Sequence, residues 1–134
     1  MPRRARRESA TGFYHIVSRG LDRENIFGEK REKTRFLNLL KDNLNECNVE
    51  IYAYCVMSNH FHLLVKVEKE IMPIFMAKVL GRYAKYYNYK HNRIGYVFEN
   101  RYNTQCIEDE RYFWSCLRYI HMNPVKAKIC SNIM

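Results

Sequence analysis

The arrangement that most constrains this chain is a short hairpin with an amphipathic helix on either side of it. Residues 49–57 and 60–67 are rich in apolar and β-branched side chains, and the two-residue connection Ser58-Asn59 predicts a tight turn between two strands. Apolar side chains recur at helical spacing, among charged ones, over residues 30–47 and again from 71 to about 91. One hairpin between two such helices predicts a sheet on which both helices pack.

Two further extended segments complete this sheet, and a third helix follows it. Residues 13–17 and part of 96–107 are rich in aromatic and β-branched residues, which favours strands. Three acidic residues at 108–110 favour the start of a last helix, which we expect to run from about 109 to 122. Pro124 is poorly placed to continue that helix, because the residue before a proline avoids helical angles.

The order β-α-β-β-α-β-α predicts an α+β protein with the ferredoxin-like split βαβ fold. That fold has a four-stranded antiparallel sheet with two helices on one face. The last helix is extra to this plan and is therefore free to carry function.

Length and charge limit the class of protein. A chain of 134 residues with 47% apolar residues predicts one folded domain, residues 11–134, after a basic flexible arm at 1–10. The net charge of +9 favours a polyanionic partner such as DNA, although acidic membranes or ribosomal RNA would also suit the charge alone. The arm contains Arg3 and Arg4, and it is either a solubilising terminus or a grip on phosphates.

The five cysteines form no CxxC pair, which is typical of a reduced, cytoplasmic protein rather than of a disulfide framework. The charged start is not followed by an apolar segment, so we expect no signal peptide. No apolar run approaches the roughly 18 residues that span a membrane, so we expect no membrane partner.

Two histidines in the second hairpin strand are candidate metal ligands. His60 and His62 stand two residues apart, so on a strand they share a face, while Phe61 points to the opposite face and the core. Their face is the one that the two predicted helices leave open. The plain alternative is two partly buried histidines with ordinary hydrogen-bond partners. None of the other histidines, His15, His91 and His121, has a spacing that would help it to serve as a third strong metal ligand.

The last helix offers polar groups that could complete such a site. Tyr119 and Asn123 are four residues apart, so they lie one turn apart on one helix face. They flank the apolar stripe of this helix, which comprises Phe113, Cys116, Leu117 and Ile120. The chain has 11 tyrosines, and Tyr87 with His91 on the second helix is a rival pair at the same spacing. Spacing alone favours Tyr119 only weakly.

Four segments resemble the single-tyrosine transposases of the HUH endonuclease superfamily, an insertion-sequence type of enzyme, and are nearest the transposases associated with repetitive extragenic palindromes (REP). Residues 57–65, MSNHFHLLV, are similar to the histidine strand of these proteins, and residues 118–127, RYIHMNPVKA, resemble their tyrosine helix. Residues 95–102, GYVFENRY, and 14–20, YHIVSRG, are similar to two further segments of that family. The likeness spans nearly the whole chain.

The resemblance implies an enzyme that nicks and rejoins single-stranded or hairpin DNA in transposition or recombination. It implies that Tyr119 is the nucleophile and forms a covalent 5′-phosphotyrosine. His60, His62 and Asn123 would be ligands of a Mg²⁺ or Mn²⁺ ion. Relatives act as monomers or as homodimers that exchange the tyrosine helix, and both arrangements stay open for this chain.

Basic residues in the arm, in the motifs and on the second helix are candidate DNA contacts, namely Arg3, Arg4, Arg19, Arg82, Lys85 and Arg101.

Two other functions fit parts of the sequence. A ferredoxin-like sheet with exposed aromatic residues and a basic surface could be a non-catalytic nucleic-acid-binding module. A zinc-dependent hydrolase would need a third strong ligand beside His60 and His62 and an open coordination position.

Overall fold

The structure is a computed structural model, and it describes residues 6–127 and 130–132, with residues from 123 onward described by their backbone alone. Arg3 and Arg4 lie outside the described residues. The strands are β1 (Phe13–Arg19), β2 (Glu50–Val56), β3 (His60–Lys66), β4 (Asn103–Ile107) and β5 (Cys130–Asn132). The helices are α1 (Lys30–Cys47), α2 (Met72–Lys90) and α3 (Glu110–Ala127), with a short 3₁₀ helix at Leu21–Arg23.

The five strands form one antiparallel sheet in the order β4-β1-β3-β2-β5. The first four strands of that order have the ferredoxin-like arrangement, which confirms the predicted fold. The hairpin between β2 and β3 closes as expected, since the Met57 amide donates to the His60 carbonyl at 2.8 Å and only Ser58 and Asn59 lie between them. The short strand β5 adds to the open edge of β2 and was not predicted.

The two faces of the sheet carry different side chains because those of β3 alternate. Phe61, Leu63 and Val65 are fully buried in the main core, which α1 and α2 cover. His62 and Leu64 face the opposite side, where Leu64 joins a second, smaller apolar cluster beneath α3. The sheet therefore lies between two helical layers, and the histidine face is partly covered by α3.

Local sequence signals explain where the first two helices begin. Glu29 and Glu32 form a capping box at the start of α1, in which each side chain accepts a hydrogen bond from the backbone of the other. Pro73 lies in the first turn of α2, where its missing N–H costs no helical hydrogen bond.

The end of α3 differs from the prediction. We expected the helix to stop near residue 122 because of Pro124, but it continues to Ala127. A proline inside a helix removes one backbone hydrogen bond and crowds the preceding turn. The packing of α3 on β2 and β5 accompanies this longer helix and offsets that local cost. The fourth strand occupies only the last part of the predicted segment 96–107.

No helix in the described part of the chain combines the length and apolar character needed to cross a membrane.

Tyr83 provides a test of the main core. Its ring is fully buried and its hydroxyl donates to the Ile26 carbonyl. Tyr83→Phe keeps the ring but leaves that carbonyl without its donor, so we expect the free energy of unfolding to fall by about 1–3 kcal/mol. Tyr89→Phe on the same helix, where the side chain is 91% exposed, should change it by less than about 0.5 kcal/mol. Urea denaturation of both variants measures the difference, and equal effects would contradict this role of Tyr83 in the core.

Candidate active site

The predicted histidine pair lies side by side at the start of β3. The ring centroids of His60 and His62 are 5.1 Å apart and the rings are nearly perpendicular. His60 opposes Arg19 of β1 and His62 opposes Val17, so both side chains lie on the face that α3 partly covers. His62 is buried and His60 is partly exposed. The shared face inferred from the strand alternation is thus present.

Helix α3 brings Tyr119 to the same place. Cys116 and Ile120 are buried against Ala53, Cys55 and Leu64 of the sheet. Since Tyr119 directly precedes Ile120, it lies at the margin of that contact, with its side chain 53% exposed. The Tyr119 ring centroid lies 5.6 Å from that of His62, edge to face. Tyr119 and His62 of the same chain are therefore in ring contact.

A cleft of about 630 Å³ opens between β1, β4 and α3. His15, His62 and Tyr119 line it from three different elements. Asn103, Gln105 and Tyr112 also contribute to its wall. The cleft is large enough to admit part of a nucleotide and opens to solvent beside Tyr119.

His15 also lines the site, which its spacing in the sequence did not indicate. Its Nε2 lies 3.0 Å from Nδ1 of His62, and its ring is 6.1 Å from that of Tyr119. Val17 is the direct partner of His62 across the β1–β3 ladder, so His15 is a diagonal neighbour two residues away. The alternation of side chains along β1 could have found it. His15 lies between Tyr14 and Ile16, which face the main core, so its own side chain points to the opposite face of the sheet.

Burial keeps the imidazoles of the site neutral. It lowers the pKa of His62 to about 3, and the neighbouring His15, His60 and Arg19 lower it further in the same direction. Burial likewise lowers the pKa of His15 and of His60, and for His60 the charge of Arg19 adds to the effect. Neutral imidazole is the form that binds a metal ion.

The side chains fit a metal ion only in part. Within the residues that the structure describes, no group of three or more His, Cys, Asp or Glu side chains is placed to hold one. The neutral imidazoles of His60 and His62 lie side by side, and His62 lines the open cleft. Such a donor set suits a divalent ion whose other ligands come from substrate and water. Asn123 lies one turn after Tyr119 in α3, and it is described by its backbone alone.

The predicted DNA contacts fall into two groups. Arg19 and Arg101 lie together on a cleft that shares Val17 and Asn103 with the histidine cleft. Arg82 and Lys85 lie on α2, across the sheet from that cleft, and Arg82 donates to the Asn43 side chain at 3.3 Å. The structure therefore brings the first pair to the site and keeps the second pair away from it.

The rival tyrosine also lies away from the cleft. Tyr87 is buried on α2, and its ring packs on His91 of the same helix end, with centroids 4.2 Å apart. His91 in turn interacts with Glu32 at 2.6 Å. This pair is part of the contact between α1 and α2.

A family model and solved structures agree on the class of protein. The model of the IS200-like transposases matches residues 9–123. A REP-associated tyrosine transposase bound to a REP hairpin has a TM-score of 0.73 and 15% identity, with 95% of this chain and 74% of that chain covered. A candidate transposase from Deinococcus radiodurans R1 has a TM-score of 0.59 and 17% identity, with 90% and 97% covered. No curated protein matches the sequence.

The fold is that of the single-tyrosine transposases, as the sequence motifs led us to expect. Because the family model spans most of the chain, the chain belongs to the IS200-like transposase family. The process in which it takes part is therefore DNA transposition.

The buried histidines predict that acid destabilises the metal-free protein. The pKa of His62 is about 3 in the folded chain and near 6.5 unfolded, so the unfolded chain binds more protons between these values. The contribution of His62 to stability is complete above about pH 6.5 and falls as the pH drops toward 3. When the pH falls from 7 to 5, we expect the free energy of unfolding to decrease less in His62→Gln than in the wild type. The difference should be on the order of 1–2 kcal/mol. Urea denaturation in the presence of a chelator measures the free energy of unfolding at each pH. If its pH dependence is the same in wild type and His62→Gln, the prediction is wrong.

Proposed function

We propose that this transposase cleaves and rejoins single-stranded DNA with Tyr119 as nucleophile and with His60 and His62 as ligands of a Mg²⁺ or Mn²⁺ ion. The observation that carries the proposal is that Tyr119 and His62 of one chain line one cleft, with 5.6 Å between their ring centroids, and that His60 lies beside His62. Asn123, one turn further along α3, is the proposed third protein ligand.

The chemistry is a transfer of a phosphodiester between two oxygens. The Tyr119 hydroxyl gives up its proton and its oxygen attacks the scissile phosphorus, while the bond from phosphorus to the 3′ oxygen breaks. The products are a 5′-phosphotyrosine and a free 3′ hydroxyl that takes up a proton. When bound, the ion would polarise the scissile phosphate and offset the charge on the leaving oxygen. A 3′ hydroxyl from another strand can reverse the step without ATP, since the bond energy is conserved.

The surroundings of the cleft suit a DNA strand. Arg6, Arg7 and Arg101 line a groove that joins the histidine cleft along Thr104, Gln105 and Tyr112. Phosphates placed along this groove would meet positive charge and lead into the cleft at Tyr119. The solved relative with a REP hairpin bound supports a hairpin or single-stranded DNA as the partner of this chain. The net charge of +9 agrees with such a partner.

A purely binding module is the weaker alternative. Domains of this fold that hold RNA use aromatic residues on the open face of the sheet. In this protein α3 packs on that face, where its Phe113 contacts Phe13 and Tyr52, and the cleft that stays open is lined by His15 and His62. The cleft geometry thus supports catalysis over simple binding.

The adduct test addresses the nucleophile. With Mn²⁺ and a labelled single-stranded hairpin from its own genomic neighbourhood, the wild-type protein should form a covalent adduct that survives denaturing electrophoresis. Tyr119→Phe should form none, because it lacks the attacking oxygen. Tyr87→Phe is the matched control and should retain adduct formation. An adduct with Tyr119→Phe, or its loss with Tyr87→Phe alone, would reject the assignment.

The groove predicts which arginines bind DNA. Arg101→Ala should weaken binding of the hairpin and reduce the salt slope of log affinity by about 1, the effect of one lost phosphate contact. Arg82→Ala should weaken binding less, because Arg82 lies across the sheet from the cleft. Fluorescence anisotropy at several salt concentrations gives both slopes. Equal losses at the two positions would place the DNA over α2 as well and contradict the proposed path.

A further inference from the structure

A chain of hydrogen bonds runs from Tyr112 of α3 to His62 along the wall of the cleft. The Tyr112 hydroxyl donates to Oε1 of Gln105 at 3.0 Å. The same oxygen lies 3.4 Å from Nδ1 of His15. Nε2 of His15 then lies 3.0 Å from Nδ1 of His62. His15 opposes Gln105 directly across the β1–β4 ladder, so the backbone register places these two side chains together.

The direction of this chain follows from the chemistry of its first acceptor. An amide oxygen only accepts, so Nδ1 of His15 must carry the hydrogen that faces Gln105. A neutral imidazole carries one hydrogen, which leaves Nε2 of His15 as an acceptor. Nδ1 of His62 must then be the donor between the two rings. The remaining nitrogen of His62, Nε2, is left with its lone pair free.

The same outcome is reached at His60 by a separate contact. Nδ1 of His60 lies 2.7 Å from Oδ1 of Asn59, which again accepts only. His60 is therefore also hydrogenated at Nδ1 and unprotonated at Nε2. Both histidines of the pair thus have the same tautomer, although one is set by its chain neighbour and the other by a partner on β1.

We propose that Gln105 and His15 are positioning residues that hold His62 in the tautomer able to bind a metal ion through Nε2. The inference rests on the proposed function of His62 as a ligand. His15 itself is not a ligand, since Gln105 and His62 engage both of its ring nitrogens. Partners of this kind orient metal-binding histidines, and their loss typically lowers metal affinity roughly 10- to 100-fold.

Burial makes the tautomer of His62 depend on its hydrogen bond to His15. His15 and His62 are 7% and 6% exposed, so little water can reach Nδ1 of His62 as an alternative acceptor. A buried ring without its partner would leave a polar N–H unsatisfied, which favours the other tautomer or a rotated ring. Removing the acceptor at position 15 should therefore change the chemistry of His62 without any direct change to it.

The first test reads the tautomer in metal-free, DNA-free protein. Long-range ¹H–¹⁵N correlation spectra separate protonated from unprotonated imidazole nitrogens. In the wild type, His62 and His60 should both show protonated Nδ1 and unprotonated Nε2. A His62 protonated at Nε2 in the wild type would overturn the proposal before any variant is made.

Matched variants then test the cause. His15→Leu removes the acceptor and should shift His62 toward the form protonated at Nε2, whereas His15→Gln supplies an amide oxygen and should keep the wild-type tautomer. Gln105→Leu frees His15 to reverse its own tautomer and should act like His15→Leu, while Gln105→Glu preserves the acceptor. If the His62 signals are unchanged in both leucine variants, and the rest of the spectrum shows that they are folded, Gln105 and His15 do not set the tautomer of His62.

Calorimetry with Mn²⁺ separates this inference from the function on which it rests. The leucine variants should bind Mn²⁺ roughly 10- to 100-fold more weakly than wild type, and His15→Gln should restore most of the affinity. If His60→Ala and His62→Ala leave Mn²⁺ affinity unchanged, the proposed function fails, whatever the tautomers show. If those two variants weaken binding but the leucine variants do not, the positioning role fails alone.

Discussion

The packing of α3 on the outer face of the sheet is the contact on which the site depends. Ile120 and Cys116 are buried against Ala53 and Leu64, and this apolar contact holds the neighbouring Tyr119 at the edge of the histidine cleft. The ferredoxin-like core does not need α3, because α1 and α2 already cover its main apolar face. The helix covers the second apolar cluster and also positions Tyr119, so a change in its packing would move the tyrosine relative to the histidines.

The local parts of this arrangement could be predicted from the sequence. Alternation along one strand places His60 and His62 on one face, and helical spacing sets Tyr119 beside the stripe that contains Ile120. Both are short-range rules, so they need no knowledge of the pairing between distant segments. The element order β-α-β-β-α-β likewise limits the sheet to few arrangements.

The long-range parts could not be predicted in the same way. The contact of His15 with His62 depends on the register in which β1 pairs with β3, where a shift by one residue would turn His15 to the other face. The separation of Arg82 from the cleft depends on which face α2 covers. The continuation of α3 past Pro124 depends on its packing against β2 and β5, whereas the sequence shows only that the residue before a proline disfavours helical angles. Sequence patterns predict the faces of single elements, whereas these contacts are made by pairs of elements.

The central claim is that the tyrosine and the histidines of one chain make one active site, and mixing two inactive variants tests it most directly. Tyr119→Phe retains the histidines and His62→Ala retains the tyrosine, so neither should form the DNA adduct alone. If each site is built within one chain, the mixture also forms no adduct, because each chain keeps its own defect. Restored adduct formation on mixing, up to about a quarter of the wild-type level, would show that partner chains exchange α3 and would contradict the claim.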